Sequence, residues 1–360
     1  MTETNPPIPW DEYYRDGRAR ALALGNRGAM RFDSTGRLAE YILDAYREHG
    51  FYVFTDVVSP SEIAELTREL DEIIDNAPIT RDNPVDKQGR PSEFAVYYSL
   101  TADEPPAIRL VSHPIMMKDA ALRVYAHPKI LKMAASINGP DFVPFHEAIH
   151  YKDSYRGPPT NWHQDGRTHW TKEGVALEQP DGSGKTHGFN LSVACSDCTP
   201  ENCLWVVPGS QRQWRLANDG KFPPITEQIP EAVPALLAPG DGVVVNRSSL
   251  HGAYSNKSSK RRLTLLLGYH NRNSAIGAET TNVHAFIRTG GPKAVKYSED
   301  YVMQRARMIP LAIDARRQRY PDEQPYEYLG TYVGDGEWNE QARAEITREG
   351  DEYWQRDITL

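Results

Sequence analysis

Cysteine is scarce, with three in 360 residues: Cys195, Cys198 and Cys203. Their closeness suggests zinc, but a structural zinc site wants four ligands. The nearby fourth candidate, His187, would have to fold back from before the same apparent strand. Three reduced thiols in or beside a β-sheet are therefore expected. Long apolar runs are missing as well. No stretch reaches 18 consecutive apolar residues, and the opening MTETNPPIPWDEYYRDGR lacks the apolar segment of an export signal, so neither membrane insertion nor secretion is indicated and a cytoplasmic location is expected. Positive charge is in deficit, 41 Lys and Arg against 49 Asp and Glu. A net charge of −8 argues against nucleic acid as a partner, because phosphate binding needs a basic surface. A small-molecule substrate remains, acted on by a monomer or homodimer.

The hydrophobic content, 39%, is enough for a large core. Length alone suggests two domains, and one β-rich domain with helical elaborations fits equally well. A polar arm with Arg15, Arg18, Arg20 and Arg27 runs to about Met30. Leu38, Tyr41, Ile42 and Tyr46 recur at helical spacing, Gly50 stops that helix, and Phe51–Phe54 reads as a strand. Ser59-Pro60-Ser61 opens a second helix with Ile63, Leu66, Leu70 and Ile74 on its apolar face. Both helices are expected to back a sheet. Residues 77–106 read as loop, with Tyr97 and Tyr98 reaching inward, and a third helix is expected over Asp119–Ile137.

From Phe142 the texture is β. Phe145–Lys152, Asn161–Asp165, Phe189–Ser196, Leu204–Val207, Gly242–Val245 and Arg262–Tyr269 are short strand candidates, a pattern of sandwiches and barrels. A Gly-, Asp- and Lys-rich insertion between Thr171 and Gly188 is long enough for a functional loop or lid. The last sixty residues are charged and Tyr-rich, with a helical pattern over Glu340–Trp354.

The chemistry gathers on NWHQDGRTHW, residues 161–170. In an extended chain a period of two puts His163 and Asp165 on one face, where an imidazole nitrogen and a carboxylate oxygen can share a cation. Pro158 and Pro159 exclude a helix just upstream. The pair alone is a weak signal, and a third ligand is needed. It comes in LLAPGDGVVVNRSSLHGAYSN, where His251 follows an apolar strand. Eleven residues on, Arg262 starts the strand RLTLLLGYH and shares a face with Thr264 and Leu266, while Arg261 points away. A guanidinium there is either a solvated edge or a bidentate clamp for a carboxylate.

His163-x-Asp165, His251 and Arg262 in this order, with CLWVVPGSQ at residues 203–211, resemble the phytanoyl-CoA dioxygenase family of iron(II)- and 2-oxoglutarate-dependent oxygenases. The motifs span roughly residues 140–275, and the N-terminal helices and FYVF strand are similar too. The resemblance implies a mainly β fold with flanking α: a double-stranded β-helix (a jelly roll, cupin-like) with N-terminal backing helices and a C-terminal helical extension. Residues 1–290 would form a single jelly-roll oxygenase domain. Residues 291–360 would be that extension, packed on the same domain or used in dimerisation.

The same resemblance implies Fe(II) held by His163, Asp165 and His251, with 2-oxoglutarate and O2 as the other reactants. Arg262 would pair with the distal carboxylate of 2-oxoglutarate, with His150 a second contact and Thr264 supplying a hydrogen bond that Ala253 cannot. Asn202 replaces a common glycine and would tolerate φ > 0 there, and Gln211 replaces a common His. Two neutral imidazoles and one carboxylate leave three coordination positions, two for the 2-oxo acid and one for O2. The expected reaction is hydroxylation or a related oxidation of a small organic substrate, with a place in secondary metabolism among the options, giving succinate and CO2. Tyr97, Tyr98, Arg167, His169 and Trp170 are the expected substrate wall. Two rival readings remain, a cupin-like metal enzyme without 2-oxoglutarate and a non-catalytic binding protein.

Overall fold

The computed structural model describes residues 8–80, 84–103, 105–178, 186–280, 295–330, 332 and 334–347. Residues 179–185 of the insertion, the boundary at 290, and residues 348–354 of the C-terminal helical pattern lie outside that set. The strands are β1 (Arg27–Ala29), β2 (Phe51–Thr55), β3 (Tyr98–Leu100), β4 (Ile108–Ser112), β5 (Val143–Lys152), β6 (Thr160–His163), β7 (Phe189–Ala194), β8 (Trp205–Val206), β9 (Val233–Pro234), β10 (Gly242–Asn246), β11 (His251–Ala253) and β12 (Arg262–His270), followed by the short pair β13 (Glu279–Thr280) and β14 (Val295–Lys296). The helices are α1 (Trp10–Ala23), α2 (Glu40–His49), α3 (Pro60–Asp75), α4 (Pro114–Met117), α5 (Asp119–Tyr125), α6 (Pro128–Asn138), α7 (Arg272–Ala275), α8 (Glu299–Ala306), α9 (Met308–Arg319) and α10 (Glu340–Thr347).

An eight-stranded sheet in the order β1-β2-β10-β7-β12-β5-β4-β3 lies against a four-stranded sheet β6-β11-β8-β9. The two enclose a cavity, which is the jelly-roll arrangement. Alternation along the strands makes this legible. Leu263, Leu265, Leu267 and Tyr269 of β12, Leu191 and Val193 of β7, and Val244 of β10 enter the core shared with the helices. The residues between them, Arg262, Thr264, Leu266, Asn190, Ser192, Val243 and Val245, line the cavity. Central strands are thus covered on both faces, which is why they read as nearly continuous apolar runs.

Three expectations are corrected. The helix expected over Asp119–Ile137 is two helices, α5 and α6, because Pro128 has no N–H to continue α5 and instead starts α6 at its first position. The polar arm contains α1, whose Tyr13 stacks on Trp205 with ring centroids 4.7 Å apart. Gly17 permits that approach, since a Cβ there would come within 2.6 Å of Trp205. Residues 77–106 are not all loop: Tyr98 opens β3, which pairs with β4.

At the C-terminal end, α8 and α9 lie on the helical side of the large sheet. Arg305 Nη2 donates to Glu147 Oε2 at 2.7 Å, and both side chains are fully buried on the outward face of β5. Arg316 donates to Glu62 of α3 at 2.7 Å and to the Arg123 carbonyl of α5 at 3.2 Å. No described helix is long and apolar enough to cross a membrane.

Candidate metal centre

His163 ends β6 and His251 begins β11, directly across from it in an antiparallel pair. Their ring centroids are 4.1 Å apart. Asp165, two residues past His163, is held by its own N–H donating to the Arg247 carbonyl at 2.7 Å. One donor atom from each of His163, Asp165 and His251 lies within 4.8 Å of the others, the single such His/Cys/Asp/Glu cluster among the described residues. Both imidazoles are pre-oriented through the main chain. His163 Nδ1 lies 2.7 Å from the Asn161 carbonyl and His251 Nδ1 lies 2.8 Å from the Ser249 carbonyl. A carbonyl only accepts, so in each ring Nδ1 is the donor, which leaves Nε2 as the atom available to a metal. Burial, then His163, pushes the His251 pKa down to about 4, so it is neutral at physiological pH. The donor set fits a divalent iron with open positions.

Gln164, whose importance the sequence reading missed, faces the other way and anchors the turn. Its Nε2 donates to the carbonyls of Ser210, Gln213 and Ser248, and its Oε1 accepts from Arg215 N–H. An amide flanked by His and Asp was the available signal.

The cavity has a volume of about 270 Å³. Arg262 and Thr264 line it from β12 and His150 from β5, Thr264 being paired with His150 in the ladder. Arg262 is buried, its Nε has no hydrogen-bond partner, and burial holds its pKa below the ordinary arginine value. Burial and the neighbouring Arg262 push the His150 pKa down to about 3. Arg261 points outward and grips Asp71 of α3 at 2.6 and 2.9 Å. Lys152, beside Arg262 in the ladder, donates to the Pro158 and Tyr254 carbonyls at 2.6 Å each, tying the chain before β6 to the chain after β11.

Arg247 lies near the opposite end of β12. Its Nη1 bonds His270 Nε2 at 2.9 Å, its guanidinium lies 3.8 Å from the Phe145 ring centre, and it lines the cavity. An Arg just after the apolar strand GVVVN was a signal that went unread.

The expected substrate wall stands elsewhere. None of the five side chains lines the cavity. Tyr98 is buried with its hydroxyl donating to the Ile73 carbonyl at 2.8 Å, because position 98 of β3 faces the helices. Tyr97 meets His113 edge-on at 5.3 Å. Arg167 is exposed in a 3₁₀ turn, and His169 is buried 5.2 Å from the His187 ring. Trp170 stacks on His187 and donates to Ser248 Oγ at 3.1 Å. The lining instead includes Leu110, Phe145, His146, Asn190 and Arg247.

The departures in sequence also find their places. Ala253 lines the cavity. Asn202 does not occupy a left-handed conformation; its Oδ1 accepts from Thr199 N–H at 2.9 Å, so it closes the turn by a side-chain bond. Gln211 Nε2 donates to the Arg47 carbonyl in the last turn of α2 at 2.8 Å. The three cysteines are free and buried. Burial pushes the pKa of Cys195 and Cys198 up to about 12 and that of Cys203 well above its ordinary value. Protonated thiols are poor zinc ligands.

Comparison with known proteins agrees with this geometry. The family model described as Phytanoyl-CoA dioxygenase (PhyH) matches residues 46–264. Ectoine dioxygenase of Nocardia farcinica (strain IFM 10152) is 24% identical over 185 residues, 51% of this chain and 55% of that protein. Ectoine dioxygenase of Halomonas elongata is 28% identical over 181 residues, 50% of this chain and 48% of that protein. The chain thus spans about half the length of the curated relatives it matches. The crystal structure of EctD from S. alaskensis with 2-oxoglutarate and 5-hydroxyectoine superposes with a TM-score of 0.50 at 20% identity, covering 68% of this chain and 80% of that one. The form with bound Fe gives 0.50 at 18% identity, covering 68% and 81%. These likenesses show the jelly-roll fold.

Proposed function

The chain belongs to the phytanoyl-CoA dioxygenase family, and from that premise we propose that it is an iron(II)- and 2-oxoglutarate-dependent oxygenase hydroxylating a small organic substrate. The observation that carries this reading is the convergence of two tautomer-fixed imidazoles and one carboxylate in a cavity that also holds a buried guanidinium. His163, Asp165 and His251 would hold the iron. Bound there, iron(II) supplies the activation of O2 that couples decarboxylation of 2-oxoglutarate to oxidation of a C–H bond, one oxygen atom entering the product and the other succinate. Arg262 would neutralise the distal carboxylate of 2-oxoglutarate, an interaction that offsets the desolvation of its charge. Thr264 Oγ and the neutral His150 stand beside it to hydrogen-bond the same molecule. The apolar side chains of Leu110, Phe145, Leu204, Leu237, Val243, Val245 and Leu266 exclude water from the reacting centre.

Arg262 also favours this reading over a cupin-like enzyme without 2-oxoglutarate and over a binding protein, since neither needs a second charge facing the triad. A role in secondary metabolism is part of the proposal. The decisive assay is succinate release by purified protein with Fe(II), ascorbate and 2-oxoglutarate, followed by a metabolite-extract screen for a compound that gains one oxygen atom. Protein that carries Fe(II) yet neither releases succinate nor transforms any compound in the extract would overturn it.

A further inference from the structure

The two oxygens of Asp165 are treated differently. Oδ1 faces His163 and stands 3.8 Å from its Nε2. Oδ2 accepts from Asn190 Nδ2 at 3.3 Å and has Arg247 Nε 3.8 Å away. We propose that Asn190 and Arg247 are positioning residues that tether Oδ2, so that Asp165 is presented to the metal through Oδ1 alone. The proposal rests on reading His163, Asp165 and His251 as metal ligands and goes beyond it.

The chemistry requires such a device. Three residues leave three positions for the 2-oxo acid and O2 only if each contributes a single atom. A carboxylate turning freely about its Cβ–Cγ bond chelates through both oxygens and takes one of those positions. One hydrogen bond, from Asn190, and one ion pair, with Arg247, act on Oδ2 and resist that rotation.

Both partners are themselves held. The Arg247 main-chain carbonyl accepts the Asp165 N–H, so backbone and side chain of one residue grip the same partner. The guanidinium is fixed by His270 on one edge and by the face of the Phe145 ring. Gly268 stands opposite Asn190 in the β12–β7 ladder. A Cβ at that position would come within 2.3 Å of the Phe145 ring and 3.1 Å of Asn190 Oδ1. The glycine therefore leaves room for the two side chains that set Arg247 and Asp165 in place. Ligand-orienting partners of this kind typically change metal affinity or activity by roughly 10- to 100-fold when removed.

The test uses the full chain without oxygen. Fe(II) binding is followed by calorimetry, 2-oxoglutarate binding to the Fe(II) form by its visible charge-transfer absorption, and the Asp165 carboxylate by infrared difference spectra on carbon-13 aspartate-labelled protein. Asn190→Ala and Arg247→Met are expected to keep one Fe(II) per chain and to raise the 2-oxoglutarate Kd by about tenfold or more. The separation of the carboxylate stretches should narrow to that of a chelating carboxylate, and Arg247→Lys should fall between. Variants that bind Fe(II) and 2-oxoglutarate like the unmodified chain, with unchanged stretches, would overturn the proposal. If Arg247→Met does not fold, Asn190→Ala decides the question from a half-buried position. Fe(II) binding that survives Asp165→Ala would overturn the metal reading itself, and the proposal with it.

Discussion

Arg261 and Arg262 are neighbours that face opposite sides of β12, and replacing each by Met separates cosubstrate binding from stability. Arg262 is 5% exposed and its Nε lacks a partner, so without 2-oxoglutarate its charge is desolvated at a cost. Arg262→Met keeps most of the volume and removes that cost, so the ligand-free protein should be no less stable than the unmodified one. Losing the partner of a buried carboxylate costs about 3–5 kcal/mol. At about 1.4 kcal/mol per tenfold, the apparent KM for 2-oxoglutarate should rise roughly a hundred- to several-thousand-fold. Arg261 and Asp71 are 38% and 34% exposed, a pair worth about 0.2–1 kcal/mol. Arg261→Met should therefore lower Tm by at most about 3 °C and leave KM unchanged. Initial rates of succinate formation against 2-oxoglutarate give KM, and thermal melts with Mn(II) and cosubstrate give an independent reading. A ligand at a hundred times its Kd stabilises by about 2.7 kcal/mol, a gain Arg262→Met should lose. Equal KM changes in the two variants, or a full cosubstrate-induced Tm shift in Arg262→Met, would refute the assignment of Arg262.

Three further outcomes follow from the same geometry. His163→Ala and His251→Ala should each abolish iron-dependent turnover while the far-ultraviolet circular dichroism is unchanged; full activity in His251→Ala would sink the triad. Arg305→Met removes the arginine from the buried Glu147, whose other oxygen lies 3.2 Å from His113 Nδ1, and should destabilise the protein by about 3–5 kcal/mol, read as a lower midpoint in urea, whereas an unchanged midpoint would show that the Arg305–Glu147 pair adds nothing to stability. Because Asp165 fills its position with an anionic oxygen, turnover in high chloride under ¹⁸O₂ should give product and succinate with one heavy oxygen each; a chlorinated product from the unmodified chain would contradict this.

The sequence disclosed most where the rule is local. Period-two alternation in LTLLLGYH puts Arg262 and Thr264 inward and Arg261 outward, and the cavity lining and the Arg261–Asp71 pair agree. Ser59-Pro60 marks the start of α3 in the sequence, and the Ser59 hydroxyl accepts from Glu62 N–H. The same local reasoning failed where packing decides. Helix α1 has Arg and small residues on a surface that is mostly exposed, so its apolar signal is reduced to Tyr13, which finds Trp205 nearly two hundred residues away in sequence. Tyr41 fits the helical spacing of α2 yet is exposed, and Leu43 is buried instead.

The lining of the cavity was the hardest part to read, for a physical reason. Proximity in sequence to the metal ligands is a poor guide in a jelly roll, because the chain leaves the cavity immediately after Asp165: Gln164 pins the turn outward, and His169 and Trp170 pack against His187 and Ser248 behind it. The side chains that meet in the cavity come from strands far apart in sequence, Phe145 and His146 from β5, Asn190 from β7 and Leu110 from β4. Strand β7 contributes alternate residues, and β5, whose pairing with β12 shifts register between Glu147 and Pro144, contributes the adjacent Phe145 and His146, so no single contiguous motif marks the lining. Ligands that share one ion must be close in space and are constrained to a short motif plus one distal residue, whereas a wall need only be concave. That asymmetry explains why the His163, Asp165, His251 and Arg262 positions could be named from spacing and family resemblance while Arg247 and Asn190 emerged only once the two sheets were face to face.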